Sequence, residues 1–249
     1  MSLPKVVVPI SALGTISDGW IIRARVIHKS SLHTPKDLCM FSVELRDQNA
    51  EINAKVMSSL CDQWMIFYDT IQIHKVYFFT GGELTPANRK YTSAKNENEL
   101  LFTNETTVTL CCEATPEIPT LPFFTFVEVG RLQVSPTDTA IDIIGIGKCS
   151  DELDKKYPPS CAGRNERTIW IMDRTACAQL TLYGDQVEKF KGTHPTVVAV
   201  KGAKIAGGDE RFLQMGRWGH ILVNPDLPET YSLLEWWSTD SHASFIKSE

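Results

Sequence analysis

What this chain of 249 residues lacks narrows its chemistry before any motif is sought. No run approaches the roughly 20 apolar residues of a membrane-spanning helix, and the apolar run in the N-terminal MSLPKVVVPISALG is too short for a signal peptide. A soluble intracellular protein is expected, with no membrane partner. Positive charge is not in excess: 25 Lys and Arg stand against 30 Asp and Glu, a net charge of −5. By halves, residues 1–112 carry 11 basic and 11 acidic side chains, and residues 113–249 carry 14 and 19. A partner that is an anionic polymer must therefore be held by a local groove rather than by a global field. Paired cysteines are missing as well. The seven lie at 39, 61, 111, 112, 149, 161 and 177, an odd number with no C-x-x-C pair, which points to reduced thiols and against a zinc site. Cys61 and Cys177 fall inside regular patterns and are expected to be small buried residues. There is no glycine-rich phosphate loop and no run of metal ligands, and the six histidines stand in no local pattern with an acid and a nucleophile. These absences favour a binding protein without cofactor or metal over an enzyme.

What is present is a repeat. Val43–Met57, VELRDQNAEINAKVM, and Ile169–Tyr183, IWIMDRTACAQLTLY, read alike at an offset of 126 residues. Each alternates apolar residues up to an aspartate (Asp47, Asp173), turns, and alternates again to a large side chain (Met57, Tyr183) on the face opposite the apolar one. Alternation places successive side chains on opposite faces of a sheet, so each segment is a hairpin. The same hairpin half a chain apart implies two copies of one β-domain.

The flanking segments fit that plan. Trp20–Ile27 reads as a strand, followed by a polar loop, 28–38, and by the hairpin strands Phe41–Leu45 and Glu51–Met57. Ser58 is placed to cap a short helix carrying Leu60, Trp64 and Phe67. Lys75–Thr80 and Arg89–Ala94 are read as the next strands, and Val108–Cys112 ends the unit. Residues 113–123, EATPEIPTLPF, have the three prolines of an extended linker. The order then recurs: a short helix at Phe126–Leu132, a strand at Thr139–Lys148, a polar loop at 151–166, the hairpin Thr168–Met172 and Ala176–Tyr183, a helix at Gly184–Phe190, and strands at Val197–Lys204 and Arg211–Met215. PETYSLLEWW begins with Pro228 and Glu229, as a helix does. Five strands with a helix between the third and fourth is the order of the OB-fold. The expected fold is all-β: two tandem five-stranded Greek-key barrels at 1–112 and 124–249, joined by linker 113–123, with a short C-terminal helix.

Taken together, KVYFF, TPANRKYTSAKN, LFTNETTV, IDIIGIGKC, TLYGDQVEKF, VVAVKGAK and VNPDLPETYSLLEWW, in that order, resemble the two central single-stranded-DNA-binding domains of the replication protein A large subunit. The resemblance runs from about Pro9 to Trp237. It implies a nuclear protein of DNA replication, repair or recombination, working with other subunits through regions outside this chain. It also implies two stacking side chains per domain, one ending strand 3 and one on the hairpin of strands 4 and 5. Carried onto this sequence these are Met57 and Tyr91, then Tyr183 and Phe212. Lys55 and Met57, like Thr181 and Tyr183, alternate on the polar face, which favours exposure of the rings. Met57 departs from the family's aromatic and lacks a π-face, so the first domain is expected to bind more weakly than the family norm. Basic candidates are Arg23, Arg25, Lys55, Arg89 and Lys90 in the first domain and Arg164, Arg167, Lys204 and Arg211 in the second. His33 and Asn53 stand where the family has basic residues, while Asn88 and Glu99 match it and would bond to bases or sugars. Trp64, Trp170, Trp236 and Trp237 are most simply packing residues, and Trp218 receives no assignment.

Met57, Asn53, the short first loop and the acidic second half also fit a paralogue whose barrels serve as a protein-interaction module in a larger complex. RNA is a third partner class, because stacking does not distinguish sugars.

Overall fold

The computed structural model describes residues 6–15, 19–34, 38–58, 61–137, 139–149, 166–190, 196–208 and 210–239. They divide into two compact units, one from residues 1–88 and 94–123, the other from 89–93 and 124–249.

In the first unit the alternating runs form β1 (Val6–Val7), β2 (Trp20–Lys29), β3 (Cys39–Arg46), β4 (Glu51–Ser58), β5 (Val76–Thr80), β6 (Glu83–Pro86), β7 (Asn98–Leu101) and β8 (Thr107–Leu110), with α1 at Cys61–Thr70. The strands follow the order β6-β7-β4-β3-β2-β5-β8, with β1 set parallel against β2. β5 and β6 are two pieces of the fourth OB strand, broken at Gly81 and Gly82, and β7 and β8 are two pieces of the fifth. β4 lies parallel to β7, the one parallel pairing the OB plan needs. Ile22, Phe41, Leu45, Ile52, Phe79 and Leu100 point inward, and Trp64 of α1 joins the same core.

The second unit is a closed barrel of order β10-β11-β13-β12-β9. Its strands are β9 (Ala140–Cys149), β10 (Glu166–Met172), β11 (Cys177–Tyr183), β12 (Thr196–Ala206) and β13 (Phe212–Val223), with α2 (Asp185–Lys189) after the third strand and α3 (Pro228–Thr239) at the end. Again the third and fifth strands, β11 and β13, are parallel. Ile143, Ile169, Ile171, Leu180, Leu182, Val200 and Leu213 fill the interior. Trp236 and Trp237 of α3 pack on a smaller cluster around Ile144, Ile146 and Val197.

The repeated aspartates explain why the hairpins recur. Asp47 Oδ1 accepts the Asn49 and Ala50 N–H groups, both at 2.8 Å, closing the turn. Its Oδ2 accepts the Ile10 N–H at 2.6 Å, the first of a 3-10 helix at Ile10–Thr15. Asp173 does the same: Oδ1 takes Thr175 N at 2.8 Å and Ala176 N at 3.1 Å, and Oδ2 takes Val129 N at 2.8 Å, the start of the 3-10 helix Val129–Val134. One carboxylate thus closes the hairpin and caps the segment that plugs the barrel.

Four local expectations are corrected. Arg89–Ala94 is not a strand; the ladder passes through Glu83–Pro86 and Asn98–Leu101, and the Arg89 carbonyl accepts the Ala140 N–H at 2.7 Å instead of a cross-hairpin partner. Ser58 pairs with Cys39 as the last residue of β4, and the helix starts at Cys61; Leu60 lies outside the described residues. The helix expected at Phe126–Leu132 is the 3-10 turn three residues later. Cys177 is exposed, because Ala178, Leu180 and Leu182 take the inner positions of β11.

Candidate nucleic-acid interface

In an OB barrel a bound strand lies across the outer face of strands 2 and 3. In the second barrel that face is β10 and β11, flanked by β13. With Ile169, Ile171, Leu180, Leu182, Leu213 and Met215 inside, alternation turns Thr168, Trp170, Gln179, Thr181, Tyr183, Phe212 and Gln214 outward. All seven are half-buried, as residues of a shallow floor are. Register orders them into rows. Trp170 faces Gln179, and continuing the parallel register of Leu180 with Leu213 by one residue brings Phe212 alongside Gln179. The next row is Thr168, Thr181 and Gln214, the two threonine hydroxyls 3.2 Å apart. Tyr183 follows, opposite Glu166, and packs one side against the core. Four residues separate the row of Trp170 and Phe212 from Tyr183, about 13 Å at the strand rise of about 3.3 Å per residue. A polar, neutral floor framed by rings at both ends results.

The same positions in the first barrel hold different chemistry. At the offset of 126, Glu44 stands for Trp170, Asn53 for Gln179, Lys55 for Thr181 and Met57 for Tyr183. By the parallel pairing with β4, Glu99 stands for Phe212. Glu44, Asn53 and Glu99 are all buried. The Glu99 carboxylate, only 3% exposed, accepts Asn53 Nδ2 at 3.1 Å and forms an ion pair with Lys55. The end of the face near Arg46 and Glu51 is covered. Arg46 donates to the Leu121 carbonyl, its guanidinium lies 3.6 Å from the centroid of the Phe123 ring, and the Phe123 N–H donates to Glu51. Burial lowers the Arg46 pKa, with Glu51, Asp47 and Glu44 acting in the opposite direction. Residues 113–123 are held further along by Arg23, bonded to Glu117 at 2.6 Å, and Arg25, bonded to the Ile118 and Thr115 carbonyls, both at 3.0 Å. Met57 alone stands out, 57% exposed.

The remaining candidates divide between exposed and structural positions. Asn88 and His33 are exposed, His33 in a backbone bridge with Met40. Tyr91 belongs to the second unit, where Lys204 Nζ sits 4.3 Å from its ring centroid, so that two candidates read from separate domains meet in a cation–π contact. Arg89 is half-buried in the same segment. Arg167 donates to the Phe190 carbonyl at 3.0 Å, and Arg211 to those of Leu132, at 2.8 Å, and Ser135, so each braces its own barrel with one edge of the guanidinium. Arg164 lies outside the described residues. Trp170 is the residue the sequence reading missed: it belongs to no core cluster and points outward. The alternation Thr168, Trp170, Met172 against Ile169 and Ile171 carried that signal. Among the described residues no three metal-ligating side chains stand together, and no helix is long and apolar enough to cross a membrane.

Comparison with known proteins bears on the family and the fold. Residues 129–224 match the family described as the replication protein A OB domain. The 70 kDa DNA-binding subunit of replication protein A from Xenopus laevis is 34% identical over 240 residues, covering 94% of this chain and 39% of that protein. The Mus musculus subunit is 36% identical over 244 residues, 95% of this chain and 38% of the relative. A solved replication protein A heterotrimer bound to single-stranded DNA superposes with a TM-score of 0.62 at 28% identity, covering 95% of this chain and 56% of that one. The chain spans about two fifths of the curated relatives it matches. It is a homologue of the replication protein A large subunit, built as OB-fold barrels in tandem.

Proposed function

We propose that this chain binds single-stranded DNA, and that the second barrel is the principal site. The observation that carries this reading is the outward face of β10, β11 and β13, where Trp170, Phe212 and Tyr183 frame a floor of Thr168, Gln179, Thr181 and Gln214. Rings give sequence-tolerant stacking worth about 1–3 kcal/mol per base. Hydroxyls and amides bond to bases or sugars without repelling phosphate. The names of the relatives and the DNA-bound heterotrimer support the same substrate. Tyr91 with Lys204, and Arg89 beside them, add a ring and positive charge. The first barrel, domain 1–112 in this reading, serves as a weaker second contact, since Lys55 is paired with Glu99 and Met57 offers no π-face. Linker 113–123 makes that contact intramolecular, so even a weak one raises the overall affinity. Partners of the replication-protein-A kind and a nuclear location follow from the same kinship.

For the first barrel alone a second reading has its own observation. Two buried carboxylates, Glu44 and Glu99, occupy the row where the second barrel has rings, which favours a protein contact there. Polarisation titrations of a labelled oligo-dT with Trp170→Ala, Tyr183→Ala, Phe212→Ala and Tyr91→Ala test the proposal. Each of the first three is expected to weaken binding by about 5- to 150-fold, and Tyr91→Ala by less. Wild-type affinity in the triple variant of Trp170, Tyr183 and Phe212 would refute it.

A further inference from the structure

β13 does not run evenly beside β12. Lys201 pairs with His220 and Ala203 with Met215, so four residues, Gly216–Gly219, stand opposite the single Gly202. The sequence of this bulge is Gly-Arg-Trp-Gly, and both glycines are required by the geometry. A Cβ on Gly216 would collide with the Gly202 carbonyl oxygen, and one on Gly219 would come within 2.7 Å of the Lys201 carbonyl oxygen. The bulge therefore extrudes its two middle residues. Arg217 is exposed, Trp218 is half-buried, and the guanidinium carbon lies 5.7 Å from the indole centroid.

Its position follows from the ladder. β11 and β13 run parallel with Thr181 beside Gln214. Two residues further along each strand are Tyr183 and Gly216, so the bulge begins where the ring-bearing row ends. Its far foot is tied to the helix that follows Tyr183, because Gln186 Nε2 donates to the Gly219 carbonyl at 2.9 Å. Bulges next to binding sites re-aim side chains, and this one adds an indole and a cation beyond the last ring of the floor.

We propose that Arg217 and Trp218 are a further binding element for single-stranded DNA. Trp218 stacks on the base that follows the one on Tyr183, and Arg217 contacts the adjoining phosphate. This rests on the functional reading above and extends its site by about one nucleotide.

The test is oligo-dT titration across a range of salt with the full chain and with Trp218→Ala, Trp218→Phe, Arg217→Ala and Tyr183→Ala. Trp218→Ala is expected to weaken binding by about 5- to 150-fold, and Trp218→Phe to recover most of that loss. Arg217→Ala is expected to flatten the dependence of log K on log salt by about 0.7, one phosphate contact on a single strand. Loss with Tyr183→Ala but none with Trp218→Ala or Arg217→Ala would overturn the role of the bulge and leave the strand-binding face intact. No effect of any variant, or no binding by the unaltered chain, would sink both. An equal loss in Trp218→Ala and Trp218→Phe would mean that the indole only packs the bulge, and would also overturn the role.

Discussion

Replacing Glu99 by Gln should weaken the fold and tighten the grip on DNA. Glu99 is the buried centre of the first barrel's outer face, its side chain 4% exposed against 27% for its partner Lys55. Removing one member of a well-buried ion pair costs about 3–5 kcal/mol. Here the charge left behind is the more exposed one, and glutamine keeps an acceptor for Asn53, so about 1–2 kcal/mol is expected. For a domain of this size that lowers the melting temperature of the first barrel by about 4–8 °C. Lys55 then becomes available to a phosphate. One added contact on a single strand changes the slope of log K against log salt by about −0.7. If the contact contributes nothing at 1 M salt, it makes binding about eightfold tighter at 50 mM and about fourfold tighter at 150 mM. Calorimetry and polarisation titrations at several salt concentrations read the two effects separately. A folded Glu99→Gln variant with unchanged slope and affinity would refute the claim that this pair holds the first face shut.

Other outcomes follow from the same geometry. Asp47→Ala removes the acceptor of three backbone N–H groups and should cost about 2–4 kcal/mol, and Asp173→Ala a similar amount in the other barrel; chemical denaturation followed by tryptophan emission measures both. Cys177, although on an exposed strand position, has a sulfur partly covered, and that burial, with Asp173 beside it, pushes the thiol up from 9.0 to about 11. It should carry about a hundredfold less thiolate at pH 8 than an ordinary cysteine and alkylate correspondingly slowly, the rate rising tenfold per pH unit until about 11; mass spectrometry after timed iodoacetamide treatment reads the rate. Lys204→Ala should weaken DNA binding by about threefold or more and flatten the salt slope by about 0.7, since its ammonium lies over Tyr91 beside the proposed strand path; a slope equal to that of the unaltered chain would remove Lys204 from the site.

The sequence carried the strands of the barrels well because each has one wet face and one dry one. Val43–Met57 and Ile169–Tyr183 alternate cleanly, and Asp47 and Asp173 mark their turns with a single side chain that also binds a distant N–H. Where the backbone finds its partner outside the local hairpin, as at Arg89 and Ala140, alternation misleads: RKYTSA looks like a strand and is a turn. The second half of β13 has no such pattern, since Gly-Arg-Trp-Gly interrupts the alternation and forms a bulge within a continuing strand. At the site, Tyr183 and Phe212 come from the family resemblance, and alternation adds only that Tyr183 shares the polar face with Thr181. Trp170 carries no plain signal of exposure, because a tryptophan among isoleucines suggests a core. The covering of Arg46 and Glu51 by residues 121–123 has no local signature, because it depends on a proline-rich segment folding back onto a face sixty or more residues earlier.

The most direct measurement is a polarisation titration of one labelled oligo-dT, with its duplex and the matching ribo-oligomer as competitors, at 50 and 200 mM salt. Sub-micromolar binding at the lower salt, weakened at the higher and poorly competed by duplex, is the predicted result. Absence of binding at 50 mM, or equal competition by duplex, would contradict the assignment of the second barrel's face to a single strand.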